Sequence, residues 1–348
     1  MKAFFFVFGI FTIAITMLPF IKSDKWWIRI FDYPRFQVMA FALVSLVGIL
    51  YHESLDHYSD YLLIALLLMC LVYQFFIIIP YTPIFTSQVK TSKSEISEGS
   101  VGLLISNVLM YNKNSKKLLE IIKDCDPDII LAVETDKWWQ TQLDVLKYAY
   151  PKTITYPLDN TYGMLLYSKF NLLDSEVRFL IEEDIPSFYT KIKLGNGKVI
   201  ELYCLHPTPP VPGENDRSTE RDAELLLVGK EAKKSKYPII VAGDLNDVAW
   251  SYTTKLFQKI SGLLDPRIGR GLFNTFNAKY PFLRWPLDHV FHSNHFKVVK
   301  LKRLPHFDSD HFPIFVHLNL EPNATIEQEE PTADIDEIEE AQEKIEKV

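Results

Sequence analysis

Asp244 and Asn246 stand two residues apart in Gly243-Asp-Leu-Asn246, directly after the apolar run Ile239–Ala242. A short apolar run reads as a buried strand, and a glycine at its end lets the backbone turn sharply or be approached closely. A carboxylate and a carboxamide on the loop that follows can accept, donate and hold an oxygen in place. An ordinary Asx turn explains the tetrapeptide equally well. Further polar groups fall where other strand-like runs end. Asn107 interrupts Leu103–Leu109, Glu134 follows Asp128–Val133, and His206 follows Leu202–Leu205. Asp288 heads Leu287–Phe291, and Ser309-Asp310-His311 precedes Phe312–Leu318. Each has a plain structural explanation: a satisfied strand Asn, a helix-capping Glu, a packed His, a turn Asp. As a set they bring carboxylates, amides and imidazoles to strand ends, which suits proton transfer and the oxygen coordination that hard cations need.

The elements that must carry these groups are short strands alternating with helices from Val101 onward. Strands are expected at Val101–Leu109, Asp128–Val133, Met164–Tyr167, Tyr189–Leu194, Lys198–Cys204, Ile239–Ala242, Leu287–Phe291 and Phe312–Leu318. Gly195-Asn-Gly197 reads as a hairpin turn. Ser115–Lys123, Ser218–Lys234 and Ser251–Ile260 read as helices, each opened by a serine able to cap. The pattern suits a layered α/β domain of mixed sheets over 101–320.

Upstream the chain changes character. It is 48% hydrophobic with a mean hydropathy of +0.02, and the first eighty residues hold much of the excess. Spanning helices are expected at about 3–21, 36–51 and 61–79, within a membrane region 1–85. A cleaved signal followed by a two-helix hairpin is the rival layout. The loop from Lys22 to Arg35 carries four basic residues with Trp26, Trp27 and Tyr33, whereas His52–Asp60 has three acids and no Lys or Arg. The positive-inside rule puts the first loop, and the domain after the third span, in the cytoplasm. Residues 86–100, rich in Ser, Thr, Lys and Glu, read as a linker without periodicity.

The net charge of −7 misleads, because Glu321 to the end holds eleven acids against Lys344 and Lys347 and the remainder is close to neutral. That tail, 321–348, is expected to be solvated and disordered, with Ile335, Ile338 and Ile345 able to line a weak helix. Cys70, Cys125 and Cys204 form no Cys-x-x-Cys pair and suggest neither a disulfide framework nor a thiolate zinc site.

Asn107-Val108, Val133-Glu134-Thr135, His206-Pro207, Gly243-Asp244-Leu245-Asn246, Leu287-Asp288-His289-Val290 and Ser309-Asp310-His311 occur in a telling order. The sequence resembles in them the endonuclease/exonuclease/phosphatase, deoxyribonuclease I-like superfamily, over about 101–320, with the layout of membrane-anchored bacterial members. The resemblance implies a sandwich of two mixed β-sheets flanked by helices. It also implies a hydrolase of phosphate esters that uses a divalent metal, Mg²⁺ with Mn²⁺ as a substitute. Asn107, Glu134 and Asp310 match the positions around the metal, and carboxylate and amide oxygens are the donors Mg²⁺ favours. His311, oriented by Asp288, is the base or phosphate contact. Asp244 and Asn246 position the water and steady the developing charge, either Asp244 or His311 taking the proton. His206 matches the histidine that donates to a phosphate oxygen or the leaving group. The remaining histidines receive no role, and strand alternation points His289 to the face opposite Asp288.

Substrate choice lies in loops. Between Arg267 and Trp285, basic residues alternate with aromatics, and Arg270, Asn274, Phe276 and Arg284 are candidate contacts, as are Arg217 and Arg221. Such a segment can follow a phosphate backbone and stack on bases, or pack on the domain edge or rest on lipid headgroups. The leading expectation is a membrane-anchored phosphodiesterase or nuclease. A phosphatase or phospholipase C-like enzyme on lipid headgroups is the alternative, and a non-catalytic membrane scaffold the reading from another class. The expected partners are a phosphate ester, nucleic acid or lipid headgroup, and the bilayer. No protein partner is identifiable.

Overall fold

The computed structural model describes residues 2–51, 55, 57–94 and 96–348. Of the acidic second loop, His52, Glu53, Ser54 and Asp56 lie outside the described residues, as does Glu95 of the linker. In chain order the helices are α1 (Lys2–Met17), α2 (Trp26–Arg29), α3 (Arg35–Tyr51), α4 (Tyr58–Ile78), α5 (Ser115–Cys125) and α6 (Lys137–Leu143), followed by α7 (Thr219–Lys234), α8 (Tyr252–Ser261), α9 (Ala324–Glu327) and α10 (Ile335–Ile345). The strands are β1 (Ser100–Asn107), β2 (Ile129–Val133), β3 (Lys152–Tyr156), β4 (Met164–Ser168), β5 (Asn171–Arg178) and β6 (Ser187–Lys193), then β7 (Val199–Leu205), β8 (Ile239–Asp244), β9 (Asp288–His292), β10 (Phe296–Arg303) and β11 (Ile314–Leu320).

Two helices are long and apolar enough to cross a membrane, Lys2–Phe20 and Tyr58–Tyr81. A third span results if Trp26–Asp32 and Arg35–Tyr51, which meet at 74°, count as one bent unit. α3 packs against both α1 and α4. Lys2 pairs with Asp60 at 2.7 Å at one end of the bundle, and the tilted rings of Phe20 and Tyr73 meet with centroids 4.8 Å apart at the other. That second end is the one joined to the rest of the chain, so the 22–35 loop and the β-rich domain lie on the same side.

The domain is a sandwich of two mixed sheets, ordered β10-β11-β1-β2-β4-β3 and β5-β6-β7-β8-β9. The alternation of each strand sorts its side chains. Val101, Leu103 and Ile105 of β1 and Ile240 and Ala242 of β8 enter the core between the sheets. Leu104 faces α5 and α6, and Ile239 and Val241 face α7 and α8. The hairpin β6–β7 closes through Gly195–Gly197 as expected, Leu194 N–H donating to Lys198 C=O and Gly197 at φ +79.

Three elements differ from the sequence expectation. Of the helix-opening serines only Ser251 caps with its side chain, accepting from Thr254 N–H; Asn114, not Ser115, caps α5, and Ser218 makes no side-chain cap bond. The segment 86–100 is not a free linker. Val89 is wholly buried in the inter-sheet core, and Lys90 and Ser92 exchange backbone hydrogen bonds with Val298, covering the β10 edge. Lastly, the acidic tail is folded where its composition predicts disorder. α10 carries a full capping box and packs Ala341 onto Leu226, Leu256 and Ile260, while Lys344 reaches Asp222 at 2.9 Å and Lys22 reaches Glu340 at 2.7 Å. Ile335 and Ile338 stay exposed, so the buried seam is Ala341 and Ile345, four apart.

Candidate active site

The inward-facing sets of both sheets run on into polar residues at one end of the sandwich. On β1 the series Val101, Leu103, Ile105 continues to Asn107, and on β8 the series Ile240, Ala242 continues to Asp244. β7 leads through Leu202 and Cys204 to His206, and β9 starts on Asp288 directly opposite Asp244. Period-two alternation thus aims four of the polar groups into one space. Glu134, one residue past β2, would point outward by the same rule. Its backbone is left-handed, φ +59, which turns it back beside Asn107, the neighbour of Val133 in the parallel pair.

Asn107 ties the sheets together. Its Nδ2 donates to Glu134 Oε1 at 2.7 Å and to Asp244 Oδ2 at 3.0 Å, while its Oδ1 accepts from Leu109 N–H. In this arrangement Asn107 orients two carboxylates through Nδ2 and has one lone pair of Oδ1 left beside the Leu109 N–H. Asp244 Oδ1 accepts from Asn246 N–H at 3.1 Å, and Asn246 Nδ2 donates to Pro207 C=O at 2.9 Å, linking the loops after β8 and β7. His311 Nδ1 lies 2.8 Å from Asp288 Oδ2, and its Nε2 lies 3.5 Å from Asp244 Oδ2. His206 Nε2 lies 4.0 Å from the same Asp244 oxygen.

Electrostatics separates the two imidazoles. Burial works against the charged form of His311, but Asp288 and Asp244 outweigh it and push the pKa up to about 10. For His206 burial wins over Asp244, and the pKa falls to about 4. Burial raises the Glu134 carboxyl to about 7, against the hydrogen bond from Asn107 and with Asp310 adding to the rise. Asp310 Oδ1 and Asp288 Oδ1 are buried without hydrogen-bond partners. Enclosed carboxylates with unused lone pairs are a donor set for a hard divalent cation. Among the described residues, Asp244, Asp288 and His311 form the group whose ligand atoms all lie within 4.8 Å of one another. His311 is already bonded to Asp288, so these three read as a proton-handling unit, and Glu134 with Asp310 as the cation side.

Two supporting residues received no role from the sequence, Ser309 standing there only as part of the Ser309-Asp310-His311 motif. Thr275, fully buried, accepts from Leu287 and Asp288 N–H through Oγ1 and fixes the start of β9. Ser309 donates from Oγ to Asn107 C=O at 2.8 Å and accepts from His311 N–H, pinning the 309–311 turn to the end of β1. His289 does face away, with Arg267 2.6 Å from Nδ1 and Asp247 C=O 2.8 Å from Nε2.

The candidate substrate contacts fare differently. Phe276 is at the site, its ring 4.9 Å from that of His311. Arg221 is 1% exposed and bonds Asp222, Asp247 and Asn246 C=O beneath the Asp244 loop, so it positions that loop and cannot touch substrate. Arg270 holds Val89 C=O and Pro266 C=O, and Arg217 pairs with Asp24 at 3.1 Å. Arg284 donates to Asn277 and Ala278 C=O, and the Asn274 C=O accepts from Arg303. All four make contacts within the fold, and Arg284 lies over the ring of Phe312, next to His311.

The model of the endonuclease/exonuclease/phosphatase family matches residues 104–311, well over half of the chain and bracketing every group just described. The chain belongs to that family. It is therefore a hydrolase of phosphate esters that depends on a divalent metal. Among solved structures it is similar to D. rerio TDP2 complexed with a single-strand DNA product, with 16% identity, a TM-score of 0.52, and coverage of 63% of this chain and 99% of that one. The human Nocturnin catalytic domain with bound sulfate gives 18%, 0.51, 65% and 96%, and the family member from Bacteroides vulgatus gives 19%, 0.52, 64% and 99%. At such identities the likeness speaks for the fold. No curated protein matches the sequence.

Proposed function

We propose that the chain is a membrane-anchored, Mg²⁺-dependent phosphodiesterase. The observation that carries this reading is the juxtaposition of the Asp288–His311–Asp244 chain, drawn from both sheets, with Glu134 and Asp310 at the end of the six-stranded one. Glu134 and Asp310 would hold the cation, which supplies charge neutralisation at the phosphoryl oxygens. His311, flanked by carboxylates on both ring nitrogens, is placed to donate to a phosphoryl oxygen, and Asp288 fixes its orientation. Asp244, steadied by Asn107 and Asn246 N–H, is left to accept a proton from the attacking water. Asn246 and the neutral His206 donate to the phosphate. Water adds to phosphorus, the bond to one ester alcohol breaks, and that alcohol leaves with a proton.

Nucleic acid is one substrate class, supported by the DNA product in the TDP2 complex. A lipid headgroup is the other, supported by the apolar helices. The basic 22–35 loop and the domain lie on one side, and the positive-inside rule makes that side cytoplasmic. The domain organisation we propose is a membrane region of 1–85 and a catalytic domain of 101–320, joined by 86–100 and buttressed by 321–348. The test is hydrolysis of bis-p-nitrophenyl phosphate by the full chain in nanodiscs with Mg²⁺, Mn²⁺ or EDTA. Turnover is expected with either metal, to vanish with EDTA, and to fall by at least about a hundredfold in Glu134→Ala and in His311→Ala. Metal-independent turnover, or full activity in both variants, would sink the reading.

A further inference from the structure

The segment from Phe276 to Trp285 folds back on itself. Its ends pair with each other, and Phe276 also pairs with His311. The base of this hairpin is therefore part of the active-site wall. Its tip carries Tyr280, Phe282 and Leu283, which are 58%, 88% and 46% exposed. Adjacent apolar side chains left so open on a loop mark a surface meant to be covered.

What covers them is fixed by where the tip lies. Gln37 Nε2 donates to Phe282 C=O at 2.6 Å, and Gln37 is the third residue of α3. At about 1.5 Å of rise per residue, the tip stands level with the first turn of an apolar helix and not above it. Tyr33, just before α3, packs edge-on to Trp285 at 5.6 Å and donates to Asn246 C=O, so the hairpin base and the Asp244 loop are both keyed to the membrane helices. The same level holds Trp27 and Ile30, 46% and 51% exposed on α2 and the turn after it, which lie at 74° to α3. A tryptophan-bearing turn across the end of a bundle is what a membrane–water interface accommodates.

A polyanion is a poorer occupant. The arginines between Arg267 and Trp285 are engaged internally, Arg267 with Asp265, Arg270 with Val89 C=O, and Arg284 with two backbone carbonyls, whereas Lys279, beside the tip, is exposed. Lys279 alone does not make the basic stripe that a nucleic-acid backbone would need.

We infer that the 276–285 hairpin inserts its tip into the bilayer interface beside α3, holding the catalytic mouth on the membrane surface, and that the phosphodiester cleaved there belongs to a phospholipid headgroup. The substrate half of this inference rests on the phosphodiesterase reading; the insertion half does not. Two measurements on the full chain in phosphatidylcholine/phosphatidylglycerol nanodiscs test them. An environment-sensitive fluorophore is placed on Phe282→Cys in a Cys125→Ser background, Cys70 and Cys204 being buried. A control label goes on Tyr148→Cys, at a side chain 99% exposed on the catalytic domain. The Phe282 label is expected to shift to the blue and be quenched by spin-labelled lipid, the Tyr148 label to do neither. Equal, water-like emission from both overturns the insertion. In parallel, Phe282→Ser/Leu283→Ser is expected to lower turnover of vesicle phospholipid by about tenfold or more, from the loss of two buried apolar side chains. Bis-p-nitrophenyl phosphate hydrolysis stays within about twofold. An equal fall on both substrates, or none on lipid, overturns the substrate assignment. If the wild-type chain hydrolyses neither, the phosphodiesterase reading fails, and the label still decides the insertion.

Discussion

At the scale of single residues the site is built by making one side chain serve two purposes. Asn107 ends an inner-facing strand series and also bridges Glu134 and Asp244, so the two sheets cannot slide without disturbing the carboxylates. Gly243 shows the same economy. At φ +150 its missing Cβ would lie 1.9 Å from Leu205 C=O, which lets β7 and β8 approach just where His206 and Asp244 emerge. The sequence suggested a turn at Gly243; the strand continues through it, and close approach is the reason for the glycine. Asp288 acts through His311. Asp288→Asn keeps the shape but loses the charge that orients the imidazole, so kcat is expected to fall by about 10²–10⁴ with KM changed only a few-fold, read from steady-state kinetics on bis-p-nitrophenyl phosphate. Most of the site residues were legible because each follows or heads an apolar run. Thr275 and Ser309 were not, since their work is done by hydrogen bonds to the backbone of residues distant in sequence.

At the scale of elements, the strands missed in the sequence share one property. β3, β5 and β10 are all sheet edges, and β5 and β10 leave most of their side chains partly or fully exposed, so no apolar run announces them. The eight expected strands all exist, shifted at their ends by a residue or two. The helix α7 carries an unusual load for its position against the second sheet. Glu224 is 4% exposed, its Oε1 has no partner, and burial, with Glu182 nearby, raises its pKa to about 8. A carboxyl raised in the folded state contributes fully below its unfolded pKa of about 4.3, and that contribution is lost as pH climbs through 8. Glu224→Gln removes the penalty. Its melting temperature should exceed that of the wild type at pH 9 by several degrees and match it at pH 5, as scanned by differential fluorimetry.

At the scale of the whole molecule, the N-terminal apolar helices and the catalytic domain pack together. Tyr81 donates to Ala249 C=O, Trp250 donates to Asp32 C=O, and Ile77, Ile78 and Tyr81 share a cluster with Val248–Trp250. The acidic tail completes the joint, because α10 touches α7 and α8 and Glu340 meets Lys22 beyond the first span. Composition could not reveal this, since the seam is Ala341 with the partly buried Ile345, plus ion pairs with partners far along the chain. Ala341→Asp should undock α10: limited proteolysis is expected to cut between Gln328 and Asp334 several times faster, with the melting point lower by about 2–4 °C.

The sheet order has a consequence for how the enzyme comes into being. β1, among the earliest parts of the domain to leave the ribosome, needs β11 as one of its two neighbours, and Asp310 and His311 arrive just before that strand. The apolar helices are therefore made while the domain still lacks both the strand beside β1 and the Asp310–His311 pair that precedes it. A half-made chain has its apolar helices but an open sheet edge and an incomplete site. Cleavage of phosphate esters begins only after Asp310, His311 and β11 have been made.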